Sequence, residues 1–284
     1  MPEHPPPPAS HETIGTRDVA GWRSRLGRWL VHVVGAFAIA IAARLPERWR
    51  PAADRTITWS AANLAFIVFA GVSLSLVLAL TDVAHEVYEG VIGSDGVAAL
   101  DHPALDLALR WRDPGLDQAV TLFTDVGGPI GMPILATVVA VTLAGLQRAW
   151  TPIVIALVAA VGSLLMTIAG KDLVGRARPA LQFAVPPYES SPSFPSGHTL
   201  NATVLTTVVV YLVLLRTTAT WQRVVTITLG AAFVLAMGLS RVFLGHHWLT
   251  DVLAAWAIGL AWALAVITAH RLLVTLRRAA RRTS

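Results

Sequence analysis

The sequence predicts an all-α fold: a polytopic membrane helix bundle with six transmembrane helices and an interfacial N-terminal helix. Three observations carry this. Of 284 residues, 55% are hydrophobic and only 14% charged, where a soluble domain carries roughly a quarter charged. Long apolar runs recur along the chain, most close to the ~17–25 residues that cross a bilayer. Basic residues gather at the tails and at alternate connections rather than along one face, which argues for orientation in a membrane and against nucleic-acid binding.

Taken in order, residues 1–28 form a proline-rich and basic tail, opening MPEHPPPPASHET. Their composition predicts disorder and lacks the basic and apolar regions of a signal peptide. Within 29–58 the apolar run 30–43 has only 14 residues between arginines. That is short for a span and suits an interfacial or re-entrant helix. Residues 59–269 are expected to form the six-helix domain, with spans at about 59–81, 131–147, 152–170, 198–215, 223–240 and 252–269. The long connection 82–130 carries an amphipathic pattern (ALDLALRWRDPGLDQAVTLFTDVGG) that predicts short helices lying over one face. Residues 270–284 form a basic tail.

Eight arginines precede residue 59, and Arg271, Arg277, Arg278, Arg281 and Arg282 follow residue 270. Short connections add Arg148, Arg216 and Arg223, whereas 82–130 sets Arg110 and Arg112 against nine acids. Six spans with both termini cytoplasmic satisfy these counts. The loops 82–130, 171–197 and 241–251 then face outward together. The expected location is the plasma (inner) membrane, with the functional face extracytoplasmic. The chain has no cysteine, which excludes disulfides, thiolate metal sites and cysteine nucleophiles.

Three segments place ionisable groups beside apolar spans, where charge is expensive: Lys171-Asp-Leu-Val-Gly-Arg-Ala-Arg178-Pro179, Pro195-Ser196-Gly197-His198, and Ser240-Arg241 through His246-His247 to Asp251. Each has a plain structural reading. Lys171 can snorkel to headgroups, Ser196 can be a helix cap, and His247 with Asp251 at i, i+4 can be a structural hydrogen bond. Together they point elsewhere. The 42 positions from His198 to Ser240 fit one helix out, a turn at 216–222 and one helix back, so all three segments end on one side. Lys171 is the only lysine against 21 arginines, which suggests a site wanting a compact point charge.

Phosphoryl transfer suits this set. Lys171, Arg178 and Arg241 supply positive charge for a phosphate and its transition state. Ser196 and the N–H groups from Gly197 onward offer a helix-start anion site. His247 is the candidate nucleophile, with Asp251 fixing its tautomer, and His198 the general acid for the leaving group. With no carboxylate cluster to hold magnesium, a metal-independent reaction with no cofactor is expected.

The three segments resemble the signature of the phosphatidic acid phosphatase type 2 superfamily: K-x6-R-P, P-S-G-H and S-R-x5-H-x3-D, matched in order by Lys171…Arg178-Pro179, Pro195–His198 and Ser240-Arg241…His247…Asp251. The resemblance covers about 59–269. It implies the six-helix fold, a histidine nucleophile with a phosphohistidine intermediate, and hydrolysis of a lipid phosphate or diphosphate: phosphatidate, phosphatidylglycerol phosphate or a polyprenyl diphosphate. The motif spacing selects His247 over His246. Alternatives are a lipid phosphotransferase and a non-enzymatic anion transporter. The expected partners are the lipid substrate and the bilayer, with no nucleic acid. Nothing in the sequence sets an oligomeric state.

Overall fold

The computed structural model describes residues 64–128 and 130–283, together with Val33, Arg44 and 46–50. The expectations for the tail 1–28 and for the interfacial run 30–43 therefore lie outside the described residues, Val33 apart. Among the described residues eight α-helices carry the fold: α1 (Leu64–Gly93), α2 (Asp101–Arg110), α3 (Pro114–Val126), α4 (Gly131–Gln147), α5 (Thr151–Val174), α6 (Gly197–Leu214), α7 (Thr220–Phe243) and α8 (Leu249–Thr283). Five of them are long and apolar enough to cross a membrane: α1, α5, α6, α7 and α8. A sixth span results if the bent pair α3–α4 is taken as one. The apolar run at 131–147 is thus a helix of 17 residues.

The chain divides into two compact units, one containing 77–266 and the other 17–76 with 267–284. All the residues of the candidate site lie in the first. At its centre is α6, with Leu200, Ala202, Val204, Leu205, Val208 and Leu212 each almost wholly buried. It packs against α5 on one side and α7 on another, and α4 packs on α5 and α6. The outer faces of α5 and α7 expose Leu157, Leu164, Leu165, Leu229 and Leu239. In water such a surface would drive association, and in a bilayer it meets a solvent as apolar as itself.

Two helix ends differ from the sequence reading: α8 continues through the expected basic tail to Thr283, and α1 runs on to Gly93, so the first part of the connection expected at 82–130 is helix. Hydropathy falls away after Leu80, but TDVAHEVYE holds neither the proline nor the glycine that would stop a helix. The helix therefore continues past its apolar stretch, with His85 and Glu89 3.2 Å apart at i, i+4. Beyond it, α2 and α3 are the short helices the amphipathic pattern predicts. Asp113 caps α3, accepting from the N–H groups of Gly115 at 2.9 Å and Leu116 at 3.1 Å, with Pro114 as first helical residue.

Two glycines turn the chain into the site. Gly175 ends α5 with φ +59°, the left-handed conformation usual after a helix C-terminus. Gly245 has φ +70°, and a Cβ there would stand 2.2 Å from the Phe183 carbonyl oxygen. Only glycine suits both the backbone conformation and the space. The same corner is fastened by Arg112, whose Nη1 donates to Phe183 O at 2.6 Å and Nε to Phe243 O at 2.8 Å. The connections that carry Arg112, Phe183 and Phe243 therefore meet at one end of the unit.

Candidate active site

Every residue the sequence reading singled out reaches that end, and three of them, Arg178, His198 and Arg241, converge on a single carboxylate that it overlooked, Glu189. Arg178 leaves the end of α5 two residues after Arg176 and holds Glu189 Oε2 at 2.7 Å. Arg241, in the last turn of α7 and 1% exposed, donates from Nη2 to Glu189 Oε1 and from Nη1 to Thr124 Oγ1 at 3.1 Å. His198 Nδ1, in the first turn of α6, lies 3.9 Å from Glu189 Oε1. Lys171 joins from α5, its Nζ donating to Ser191 Oγ at 2.9 Å and to Pro192 O. Arg178 shares those acceptors, lying 3.2 Å from Ser191 Oγ and 3.4 Å from Pro192 O, and also bonds Ser191 O at 2.7 Å.

The P-S-G-H segment starts α6 as expected, with Gly197 its first residue. Ser196 stands at the cap position, but its hydroxyl bonds Thr199 Oγ1 at 2.9 Å and makes no cap hydrogen bond. Its backbone N–H donates to the Asp251 carbonyl at 3.2 Å. That bond ties the start of α6 to the start of α8.

His247 and Asp251 are both buried, and the imidazole is clamped from two sides. Nδ1 lies 3.4 Å from Asp251 Oδ2, and Nε2 lies 3.1 Å from Arg178 Nη1. A guanidinium can only donate, so Nε2 is the unprotonated nitrogen and the proton sits on Nδ1, toward the carboxylate. This assignment follows from the bonding partners. It leaves the Nε2 lone pair facing the cations. Burial pushes the imidazole pKa down to about 4, with Arg178 and Arg241 adding to the depression and Asp251 opposing it. His247 is therefore neutral near pH 7. The adjacent His246 faces away from Asp251, its Nε2 2.6 Å from the Val185 carbonyl oxygen.

Glu189 is part-buried, and burial works against its charge. Arg241, then His247, Arg178 and His198, overcome that and hold its carboxyl down at about 2. It is a carboxylate at any working pH, and its single negative charge is shared between two of the three cations.

Four further residues of the site had no signal of their own. Asp101 opens α2, and Arg176 lies among the unassigned positions of the first motif. Ser193 donates to Asp251 Oδ2 at 2.5 Å, and Thr124 bonds Arg241. Each is an ordinary residue type whose meaning depends on a partner far along the chain.

The PAP2 superfamily model matches residues 150–274, the stretch that supplies all three motifs. A curated relative, phosphatidylglycerophosphatase B of Bacillus subtilis, is 32% identical over 171 residues, 60% of this chain and 82% of the relative. The chain belongs to the PAP2 superfamily. Among solved structures, a transmembrane PAP2-type phosphatidylglycerolphosphate phosphatase from Bacillus subtilis has a TM-score of 0.60 at 26% identity. That match covers 69% of this chain and 94% of that one. Membership of the PAP2 superfamily makes the chain a lipid phosphatase in class, and an integral membrane protein, as the ordered motifs and apolar helices led us to expect.

Proposed function

We propose that this PAP2 phosphatase hydrolyses a phosphate monoester of a phospholipid, of the phosphatidylglycerol phosphate type, through a phosphohistidine at His247 Nε2 and without a metal cofactor. The observation that carries the reading is the two-sided clamp on His247: Nδ1 toward Asp251 at 3.4 Å and Nε2 toward Arg178 at 3.1 Å. An imidazole so held has its lone pair aimed at the cations that would bind phosphate, and its proton backed by a carboxylate.

The substrate phosphate takes the place that the Glu189 carboxylate holds between Arg178 and Arg241, with Lys171 as third cation. His247 Nε2 attacks phosphorus, the ester O–P bond breaks, and His198 gives its proton to the leaving alkoxide. The imidazolium that develops on His247 is stabilised by Asp251. Water then attacks the phosphohistidine while His198 takes up its proton. Inorganic phosphate leaves and neutral His247 is restored. The start of α6 at Gly197 offers N–H groups to the phosphate oxygens.

The donor set supports the metal-free reading, because cations surround the pocket and both carboxylates are engaged by guanidinium groups. Among the described residues, no three metal-ligating side chains gather. An apolar groove between α3 and α7, lined by Ala119, Phe123, Leu239 and Phe243, reaches Ser240 beside Arg241. It fits an acyl chain whose headgroup enters the pocket. The named relative supports phosphatidylglycerol phosphate as the substrate. The arginine distribution supports an active site on the extracytoplasmic side of the plasma membrane.

The test is phosphate release by the purified protein in detergent with EDTA, across phosphatidylglycerol phosphate, phosphatidate and a polyprenyl diphosphate. We expect release to be fastest from phosphatidylglycerol phosphate and unaffected by the chelator. Activity that appears only on adding magnesium contradicts the metal-free reading. Preference for the diphosphate contradicts the substrate.

A further inference from the structure

Behind the His247–Asp251 pair lies a second ion cluster, joined to it through Asp251. Asp101, the first residue of α2, is 3% exposed although it is charged. Its Oδ2 bonds Arg176 Nη2 at 2.6 Å and accepts from Thr250 Oγ1 at 2.7 Å. Its Oδ1 accepts from the Thr250 N–H at 2.8 Å. Arg176 reaches the other way with Nη1, donating to Asp251 Oδ1 at 2.6 Å and to Thr250 Oγ1 at 2.7 Å. Its guanidinium lies over the Trp248 ring, 5.6 Å from the centroid. One cation thus sits between two buried carboxylates, and the fixed fork of arginine suits that geometry.

Asp251 divides its two oxygens between these neighbours. Oδ1 belongs to Arg176. Oδ2 receives Ser193 Oγ, the Trp248 N–H at 2.9 Å and His247 Nδ1. A carboxylate free to rotate about its terminal bond would present either oxygen to the imidazole, since that torsion is broad. Among the described residues, neither Asp101 nor Arg176 bonds to Lys171, Arg178, Arg241 or His198. Arg176 bonds the proposed catalytic aspartate, and Asp101 bonds Arg176 and Thr250.

We propose that Arg176 and Asp101 are positioning residues of the phosphatase reaction. Arg176 pins the Asp251 carboxylate so that Oδ2 alone faces His247, and Asp101, on the long connection between α1 and α3, anchors Arg176. The connection is thereby a component of the catalytic apparatus. The inference rests on the reading of His247 as nucleophile. A merely structural staple, holding α2 to the start of α8, is the competing explanation. It predicts loss of folded protein rather than a slow chemical step.

Steady-state kinetics of the full chain separate the two, using phosphatidylglycerol phosphate micelles and inorganic phosphate as competitive inhibitor. Asp101→Asn and Arg176→Ala should each lower kcat at least ~10-fold while KM and the phosphate inhibition constant stay within about twofold. Residues acting as one unit are non-additive. The double variant should therefore be no slower than Arg176→Ala alone, and Asp101→Asn should cost nothing further in an Asp251→Asn background. Unchanged kcat, losses that multiply in the double variant, or phosphate inhibition lost together with turnover in both single variants would each overturn the proposal. Full activity in His247→Ala would instead overturn the underlying reading of the site, and this inference with it. Multiplying losses in an enzyme that does depend on His247 remove only this inference.

Discussion

Glu189 Oε2 lies 2.7 Å from Arg178 Nη2, and its other oxygen is bonded to Arg241. An internal carboxylate therefore occupies the cations proposed to bind the substrate phosphate. Held down at about 2 by those same arginines, it stays charged throughout the working range, so mild acid does not release it. Replacing it with a neutral isostere removes a competitor without removing a cation. Glu189→Gln should tighten inhibition by inorganic phosphate about tenfold, equivalent to roughly 1.4 kcal/mol, and to a similar degree at pH 5 and pH 8. An inhibition constant that rises in this variant shows that Glu189 organises the arginines for phosphate rather than competing with it.

With His247 as the proposed nucleophile, its depressed pKa sets the acid limb of the reaction. An ordinary histidine is half protonated near 6.5, and its lone pair is lost below that. Burial moves the loss down to about 4, so the neutral nucleophile persists as pH falls from 6.5 toward 4 and disappears below. The pH profile of kcat/KM reports free-enzyme ionisations. Corrected for the second ionisation of the substrate phosphate, it should hold level through pH 5 and fall near pH 4. A fall centred near 6.5 contradicts the buried, cation-flanked environment of this imidazole.

Lys171 Nζ fits between Ser191 Oγ at 2.9 Å and the Pro192 carbonyl oxygen, acceptors that Arg178 shares. A planar guanidinium is broader than an ammonium and differs in hydration, so it would press against Arg178 in the same loop. Lys171→Arg should lower kcat/KM at least ~10-fold, about 1.4 kcal/mol, in phosphate-release assays. Wild-type turnover in this variant would mark Lys171 as a snorkelling residue only.

The positions of these ions were legible in the sequence to different depths. The apolar runs and the spacing of three short motifs place Lys171, Arg178, Ser196, His198, Arg241, His247 and Asp251 at one level from sequence alone. Helix length and i, i+4 periodicity are local properties that survive into the fold. The end of α1 was not legible, because hydropathy marks where lipid contact stops and backbone propensity marks where helix stops. Glu189, Asp101 and Ser193 were missed for a different reason. A lone carboxylate or hydroxyl in a loop has no periodicity, and its partners Arg241, Arg176 and Asp251 lie 52, 75 and 58 positions away. Arg176 stood inside a recognised motif, yet the spacing K-x6-R-P gives it no role. Its role comes from facing two buried acids.

The proposed extracytoplasmic side of the site rests on the arginine distribution and is directly measurable, since the chain has no cysteine. Single cysteines at Ser190, beside Glu189, and at Thr218, between α6 and α7, lie at opposite ends of α6. Treatment of intact cells with a membrane-impermeant maleimide should label position 190 and leave 218 and the tail position Ser284 protected. Labelling at 218 with protection at 190 would place the phosphatase site in the cytoplasm.

The central claim is that His247 Nε2 becomes phosphorylated, and the most direct measurement is capture of that intermediate. Enzyme mixed with substrate labelled in its terminal phosphate and quenched within the first turnover should carry label that is acid-labile and base-stable. Peptide mapping should place it on His247. His247→Ala should retain its membrane insertion yet show neither label nor turnover. Label on His246, or a His247→Ala enzyme that turns over at near wild-type rate, would contradict the account.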